Sequence, residues 1–314
     1  MIDLLNVQPN VVSKNLRNFV IGVYGDPKVG KTTLAAQIPN SLIIATELGF
    51  KAIPNIHAVP TLDYPSILTV LNQLKKPEVK EKYEVVIIDT LDALLYIATE
   101  HVLNSHGVKE LNDIPWGKGH TELESIFKKI FKTIIKEGYG LVVIGHRSQK
   151  TDSETEIQYN TLALNNKRVK GYVMGELDVL AAVESSRDPM QSSVMHFRAS
   201  KEWDAGSRFK NIVPKIDFSY ENLVEAIHNA VEQDATTDKK QNYYDQEKKE
   251  YTEEEFQSLK QQCEMKAKSI IEQDDSKMND VLKAIQDTLG KKISESTIKD
   301  AALMQVLLDE LNLV

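Results

Sequence analysis

The sequence predicts an α/β fold: a mostly parallel central sheet flanked by helices, followed by a small α-helical C-terminal module. Apolar runs of strand length recur at residues 19–24, 41–46, 84–89, 140–145, 177–183 and 194–199. Helical patterns at 64–75, 92–105 and 121–136 lie between the early ones. Alternation of this kind builds a parallel sheet with right-handed crossovers, and strands covered on both faces read as unbroken apolar runs.

The first run leads into Gly25-Asp26-Pro27-Lys28-Val29-Gly30-Lys31-Thr32-Thr33. A helix expected over 32–38 follows and stops at Pro39. The spacing is G-x-x-x-x-G-K-[ST], the phosphate-binding P-loop, in its strand–loop–helix context. Gly25 and Gly30 let backbone N–H groups turn inward toward a β-phosphate, and the start of a helix adds positive potential. Lys31 then reaches β- and γ-phosphate oxygens as a point charge, and Thr32 offers its hydroxyl to Mg²⁺.

The second run ends in Glu47, expected beside the P-loop strand, where a carboxylate polarises water in line with a γ-phosphate. That placement resembles RecA-like recombinases and helicases. The third run ends in Asp89, placed to hold Mg²⁺ through water, since ligands gather at the carboxyl ends of parallel strands. Together these features imply a Mg²⁺-dependent nucleoside triphosphatase, with ATP as the expected nucleotide. Asp26 stands where a partition ATPase needs a lysine. No guanine-reading Asn/Thr-Lys-x-Asp follows the fourth strand, and no Arg-rich kinase lid is evident.

Residues 121–136 carry Leu123, Ile126, Phe127, Ile130, Phe131, Ile134 and Ile135 at helical spacing, an amphipathic face whose aromatics belong to the core. The fourth strand ends at His146, the first choice for a γ-phosphate sensor, with Gln149 behind it. Residues 147–170 form a long polar segment with Arg147, Lys150, Lys167, Arg168 and Lys170 set against Asp152, Glu154 and Glu156. With Tyr159 and Tyr172 nearby, it reads either as a single-stranded DNA contact or as a solvated hairpin. Pro115-Trp116-Gly117-Lys118-Gly119-His120 is a second loop with an aromatic and a cation, facing DNA, a neighbouring subunit or the edge of the core. Farther on, Lys201 and Arg208, with Arg198 in reserve, are candidates for a cation given to an adjacent subunit's nucleotide. Their alternative is surface pairing with Glu202 and Asp204.

Residues 177–213 read as consecutive strands, so the sheet is expected to finish in antiparallel fashion, before a helix at 221–232. Residues 234–250 form a charged linker between an ATPase domain over 1–233 and a helical module over 251–314. Thr252 and Glu255 mark a helix start there. The net charge of −8 argues against bulk-charge coating of nucleic acid, and its acidic excess gathers in 234–275. No run approaches the ~18–20 apolar residues of a membrane helix. The N-terminus lacks a signal-peptide pattern, and the single Cys263 fits a reducing cytoplasm.

Several segments carry a resemblance in order: Gly25 to Thr33, Thr46-Glu47-Leu48-Gly49, Val86-Ile87-Ile88-Asp89-Thr90, Trp116-Gly117-Lys118-Gly119, and Lys201 with Ala205-Gly206-Ser207-Arg208. Over about residues 15–215 the chain resembles the phage-encoded nucleotide-binding AAA-type family. Its best-known members are compact RecA-like P-loop ATPases of single-strand annealing that work with a single-strand-binding protein. The resemblance implies action on single-stranded DNA in phage recombination or replication, in the host cytoplasm, as a homo-oligomer. Two alternatives are a nucleotide-dependent loader that recruits a replication partner through its tail, and a metabolic phosphotransferase.

Overall fold

The computed structural model describes residues 16–151, 156–186, 188, 190–232 and 252–312. The chain divides into two units, Met1–Tyr244 and Asp245–Val314. The expected linker at 234–250, the N-terminal residues read for a signal, and Asp152 and Glu154 lie outside the described residues.

In the first unit the chain runs β1 (Val20–Gly25), α1 (Lys31–Ala35), β2 (Ser41–Ala45), β3 (Ala58–Pro60), α2 (Tyr64–Gln73), α3 (Pro77–Lys82), β4 (Val85–Asp89) and α4 (Leu91–His106). It continues with α5 (Lys118–Lys136), β5 (Gly140–Thr151), β6 (Gln158–Leu162), α6 (Lys167–Glu176) and β7 (Val179–Glu184). The unit closes with β8 (Val194–His196), β9 (Gly206–Ser207), β10 (Lys215–Asp217) and α7 (Tyr220–Glu232). Its main sheet has the order β10-β8-β7-β1-β5-β4-β2-β3. From β7 to β3 every neighbouring pair is parallel. Beyond β7 the strands turn antiparallel, as the thinning of helices after residue 177 implied.

This order corrects one expectation. Glu47 does not follow a strand beside the P-loop strand, because β5 and β4 both stand between β1 and β2. Segments that meet early along the chain are separated in the sheet by a strand formed about a hundred residues later, a non-local choice that spacing does not encode.

Period-two alternation sorts the strand side chains into two cores. Val20, Tyr24, Val86, Ile88, Leu141 and Val143 face one side, packed with residues of α2, α4, α5 and α6. Ile21, Val23, Val85, Ile87, Val142 and Ile144 face the other, with Leu34 of α1 and the apolar face of α7. The result is a three-layer sandwich whose loops converge at the carboxyl ends of the parallel strands. Phe131 of α5 is fully buried between Phe127 and Tyr172, with ring centroids 6.4 and 5.8 Å away. Phe131→Ala is expected to cost about 3–5 kcal/mol, read as a lower urea midpoint at an unchanged slope. A loss below about 1 kcal/mol would mean that α5 is not seated on this core.

The second unit contains α8 (Glu253–Gln273), α9 (Met278–Leu289) and α10 (Ala301–Leu311). Thr252 and Glu255 close a reciprocal capping box at the start of α8, with bonds of 2.9 and 3.2 Å. Phe256, Cys263, Val281, Met304, Leu307 and Leu311 build a core of its own. Burial pushes the Cys263 thiol up to about 11, and its Sγ donates to Met304 O at 3.2 Å, so it packs as an apolar side chain.

Candidate nucleotide-binding site

The P-loop joins the carboxyl end of β1 to α1. Gly30 adopts φ 96°, a left-handed conformation suited to glycine. Gly25 is required for a different reason: a Cβ there would stand 2.7 Å from Val183 O of β7. The helix is shorter than expected, ending at Ala35 rather than residue 38. Gln37 N and Ile38 N instead bond to the carbonyls of Leu34 and Ala35, the tighter i→i+3 pattern. Pro39 drives this, since it disfavours helical backbone at the residue before it. Five residues make a weak dipole, so phosphate affinity falls mainly to the loop amides and to Lys31.

Lys31 is only 6% exposed, and its Nζ donates to Gly25 O (3.1 Å) and Asp26 O (2.7 Å). Burial lowers its pKa, against the opposing pull of Asp89, Asp92, Asp26 and Glu47. Thr32 Oγ1 donates to Asp89 Oδ2 at 2.8 Å, which couples the loop to the end of β4. Asp89 is 3% exposed, and its Oδ1 has no hydrogen-bond partner among the described residues. Burial raises its pKa; the Thr32 bond opposes this and the Glu47 charge adds to it. A buried carboxylate with a spare oxygen, beside a threonine hydroxyl, is the donor set a hard divalent cation takes. The residues therefore fit Mg²⁺ held by Thr32 and Asp89.

Glu47 lies two residues beyond β2, whose Ala45 pairs with Asp89. Its charge is felt at Lys31, Asp89 and His146. It makes no hydrogen bond of its own among the described residues. His146 enters from β5, opposite Gly25 in the register. The structure thus brings Lys31, Thr32, Asp89, Glu47 and His146 to one place.

Sequence reasoning missed Asp92 as a member of this site. In the first turn of α4 its Oδ2 lies 2.7 Å from His146 Nδ1, and its Oδ1 accepts from His146 N at 3.1 Å. The loop spacing accounts for Asp26 but not for its tie across the edge. Arg147 Nε donates to Asp26 Oδ1, and Ser185 Oγ donates to Asp26 Oδ2 at 3.2 Å. Arg147 Nη1 also reaches Asn160 Oδ1 at 2.9 Å, linking the P-loop to β6.

The polar segment 147–170 is largely ordered. β5 continues straight past the sheet to Thr151 and pairs antiparallel with β6. Asn166 caps α6 by accepting from Arg168 N and Val169 N, both at 3.1 Å. Tyr172 packs against Phe131 and is held by the protein's own core, correcting its reading as a base-stacking neighbour. Trp116, in contrast, is 93% exposed, which removes the possibility that it plugs the core edge. α5 brings the chain to the start of β5, so its first turn and the Trp116 loop lie toward the carboxyl ends of the strands. Two bonds join that turn to α6: His120 Nδ1 to Asn166 Nδ2 (2.9 Å) and Arg168 Nη1 to Thr121 Oγ1 (2.7 Å). Trp116 and Lys118 therefore share a surface with Lys167 and Arg168.

Lys201 and Arg208 part company. Lys201 is exposed on the segment whose Glu202 O accepts from Asn160 N at 2.7 Å, alongside β6. Arg208 is at the amino end of the sheet, where it pairs with Asp178 at 2.9 Å and donates to Gly175 O. Arg198 donates to Phe209 O (2.8 Å) and Lys210 O (2.6 Å) and so serves the turn at 207–210. Neither Lys201 nor Arg208 makes a hydrogen bond or ion pair with the P-loop of its own chain among the described residues.

A parallel sheet carrying this loop at its carboxyl edge, with an acid on a neighbouring strand end, defines a P-loop nucleotide-binding protein, a class that usually binds its nucleotide with Mg²⁺. The chain belongs to the AAA domain family AAA_24, whose profile matches residues 17–209. It is similar to the SPbeta prophage-derived uncharacterized protein YorG of Bacillus subtilis (strain 168), with 28% identity over 324 residues, 99% of this chain and 98% of that protein. Among solved structures, the RadB recombinase matches 57% of this chain and 80% of its own at 16% identity and a TM-score of 0.36, too slight a likeness to carry a functional inference. No described helix is long and apolar enough to cross a membrane.

Proposed function

We propose that the chain is a RecA-like ATPase, encoded by a phage or prophage, which binds single-stranded DNA and anneals or exchanges strands in recombination or replication. The observation that carries the ATPase half is the meeting of Lys31, Thr32, Asp89, Glu47 and His146 at the carboxyl ends of four strands. Strand order agrees with it, because β5 separates the P-loop strand from the strand that bears Asp89. Mg²⁺ bound there would neutralise charge building on the phosphate oxygens. Lys31 binds the β- and γ-phosphates, Glu47 orients and deprotonates the attacking water, and His146 reads the terminal phosphate.

The DNA half rests on the exposed Trp116 beside Lys118, Lys167 and Arg168, an aromatic platform edged by cations. Oligomerisation would let Lys201 reach the nucleotide of an adjacent copy, whereas Arg208 would first have to leave Asp178. The loader reading is favoured by one observation: the second unit has its own core and exposes Leu282, Leu303 and Val306. A single-strand-binding protein or another replication protein is the partner expected there.

ATP turnover measured with and without single-stranded DNA, across a salt series, tests the proposal. DNA should stimulate turnover, and affinity should fall steeply with salt. Trp116→Ala should weaken DNA binding by about 1–3 kcal/mol while basal turnover is unchanged. Turnover indifferent to DNA, with Trp116→Ala silent, would remove the DNA half. Stimulation by a small acceptor instead would make the protein a phosphotransferase.

A further inference from the structure

We propose that Asp92 is the positioning residue for His146, gripping both its backbone amide and its ring so that the opposite ring nitrogen, Nε2, is presented to the terminal phosphate. This rests on the ATPase reading above and assigns Asp92 a part in it.

Asp92 occupies the first turn of α4, where a carboxylate ordinarily serves the N–H groups of its own helix. That task is already taken by Thr90, the N-cap, whose Oγ1 accepts from Ala93 N at 3.4 Å. Both carboxylate oxygens of Asp92 reach a residue 54 positions away, at 2.7 Å to the ring and 3.1 Å to the amide, and its own backbone N–H is only a lesser contact. Two bonds from one carboxylate fix the plane and the tautomer of an imidazole, since a bound Nδ1–H leaves Nε2 as the working nitrogen. Nε2 has no partner among the described residues.

The groups facing His146 come from four elements: Asp92 from α4, Lys31 from the P-loop, Glu47 from the turn after β2, and Asp89 from β4. The hydrogen bond to Asp92 is the largest influence on the ring and raises its pKa; burial and Lys31 oppose, Glu47 assists. Burial works to raise Asp92, but its bonds and charge interaction with His146 prevail and lower it. Both shifts favour the carboxylate–imidazolium form of the pair, in which Nε2–H is a charged donor suited to a γ-phosphate oxygen.

The test uses the full chain with isotope-labelled histidine, the His146 resonance being the one missing from His146→Asn. Asp92→Asn should lower the His146 titration midpoint by about one unit or more, and Asp92→Glu should restore part of it. In ATP turnover, Asp92→Asn should cut kcat about tenfold with little change in KM, the loss of one charged donor arrangement. Activity that needs the imidazolium is kept below its pKa and lost as pH rises through it. The alkaline limb of the kcat profile should therefore move to lower pH in step with the resonance. The double variant Asp92→Asn/His146→Asn should be no slower than His146→Asn, because Asp92 acts through that ring. An unchanged midpoint, or a double variant further impaired, overturns the proposal. A midpoint that moves in a chain hydrolysing no ATP at any pH supports the Asp92–His146 coupling and overturns the ATPase reading.

Discussion

Lys31→Ala is expected to abolish ATP turnover. The Lys31 ammonium is nearly buried, and four carboxylates offset part of the cost of burial. Those same carboxylates make the site hostile to a polyphosphate once the lysine is gone. At an effective dielectric near 20, a charge pair about 4 Å apart interacts by about 4 kcal/mol, so losing one such contact costs about 10³-fold. The transition state, with charge spread over the transferred phosphoryl oxygens, loses at least as much as the ground state. Nucleotide affinity should fall together with kcat. Lys31→Met separates charge from packing, since the thioether fills the same space and lets the carbonyls of Gly25 and Asp26 keep their shielding. Turnover measured at saturating ATP, beside a thermal melt, checks both variants. Normal hydrolysis by a folded Lys31→Ala chain would remove this loop from the function altogether.

Glu47→Gln should separate binding from hydrolysis. Glutamine keeps the shape and a hydrogen-bonding group but takes no proton, and loss of a positioned general base costs about 10²–10⁴-fold. ATP affinity should stay the same or rise, because a negative charge near the phosphates disappears. The substitution should also lower the Asp89 pKa, since Glu47 now helps to raise it. Asp89 would then hold its charge to lower pH than in the parent chain, with burial still raising its pKa. Rapid-quench measurement of a single turnover decides the matter. If bound ATP is cleaved at the normal rate, the water is activated by another acid, and Asp92 and Asp89 become the residues to test.

What could be read from the sequence was what neighbouring residues along the chain decide. Spacing around Gly25, Gly30 and Lys31, and an apolar run closing on Asp89, are local patterns, and both occupy the site. Glu47 was placed at the correct strand end but beside the wrong strand, because sheet order is settled by segments far apart in sequence. Asp92 was read only as the residue near which a helix begins; its use depends on β5 crossing α4, which no local signal reports. The polar composition of residues 147–170 reads as a DNA contact or a solvated hairpin, and β5 and β6 do pair as a hairpin there. Their order comes from pairing with the 200–204 segment and from Asn166 capping α6, and the pair Val169 and Val173 was the faint signal available. Lys201 and Arg208 look alike in the sequence; their places in the fold separate them, Arg208 being held by Asp178 and Gly175 at the amino end of the sheet.

β5 is one unbroken strand from Gly140 to Thr151, within the parallel sheet at its start and paired with β6 at its end. His146 sits near its midpoint, at the phosphate edge. Thr151 then projects about 16 Å beyond the histidine, at about 3.3 Å per residue. A tilt of about 10° at the histidine would carry that tip through about 3 Å, given that reach. A small displacement at the phosphate edge would therefore be enlarged at the hairpin, while the packed core at Ile144 stays in place.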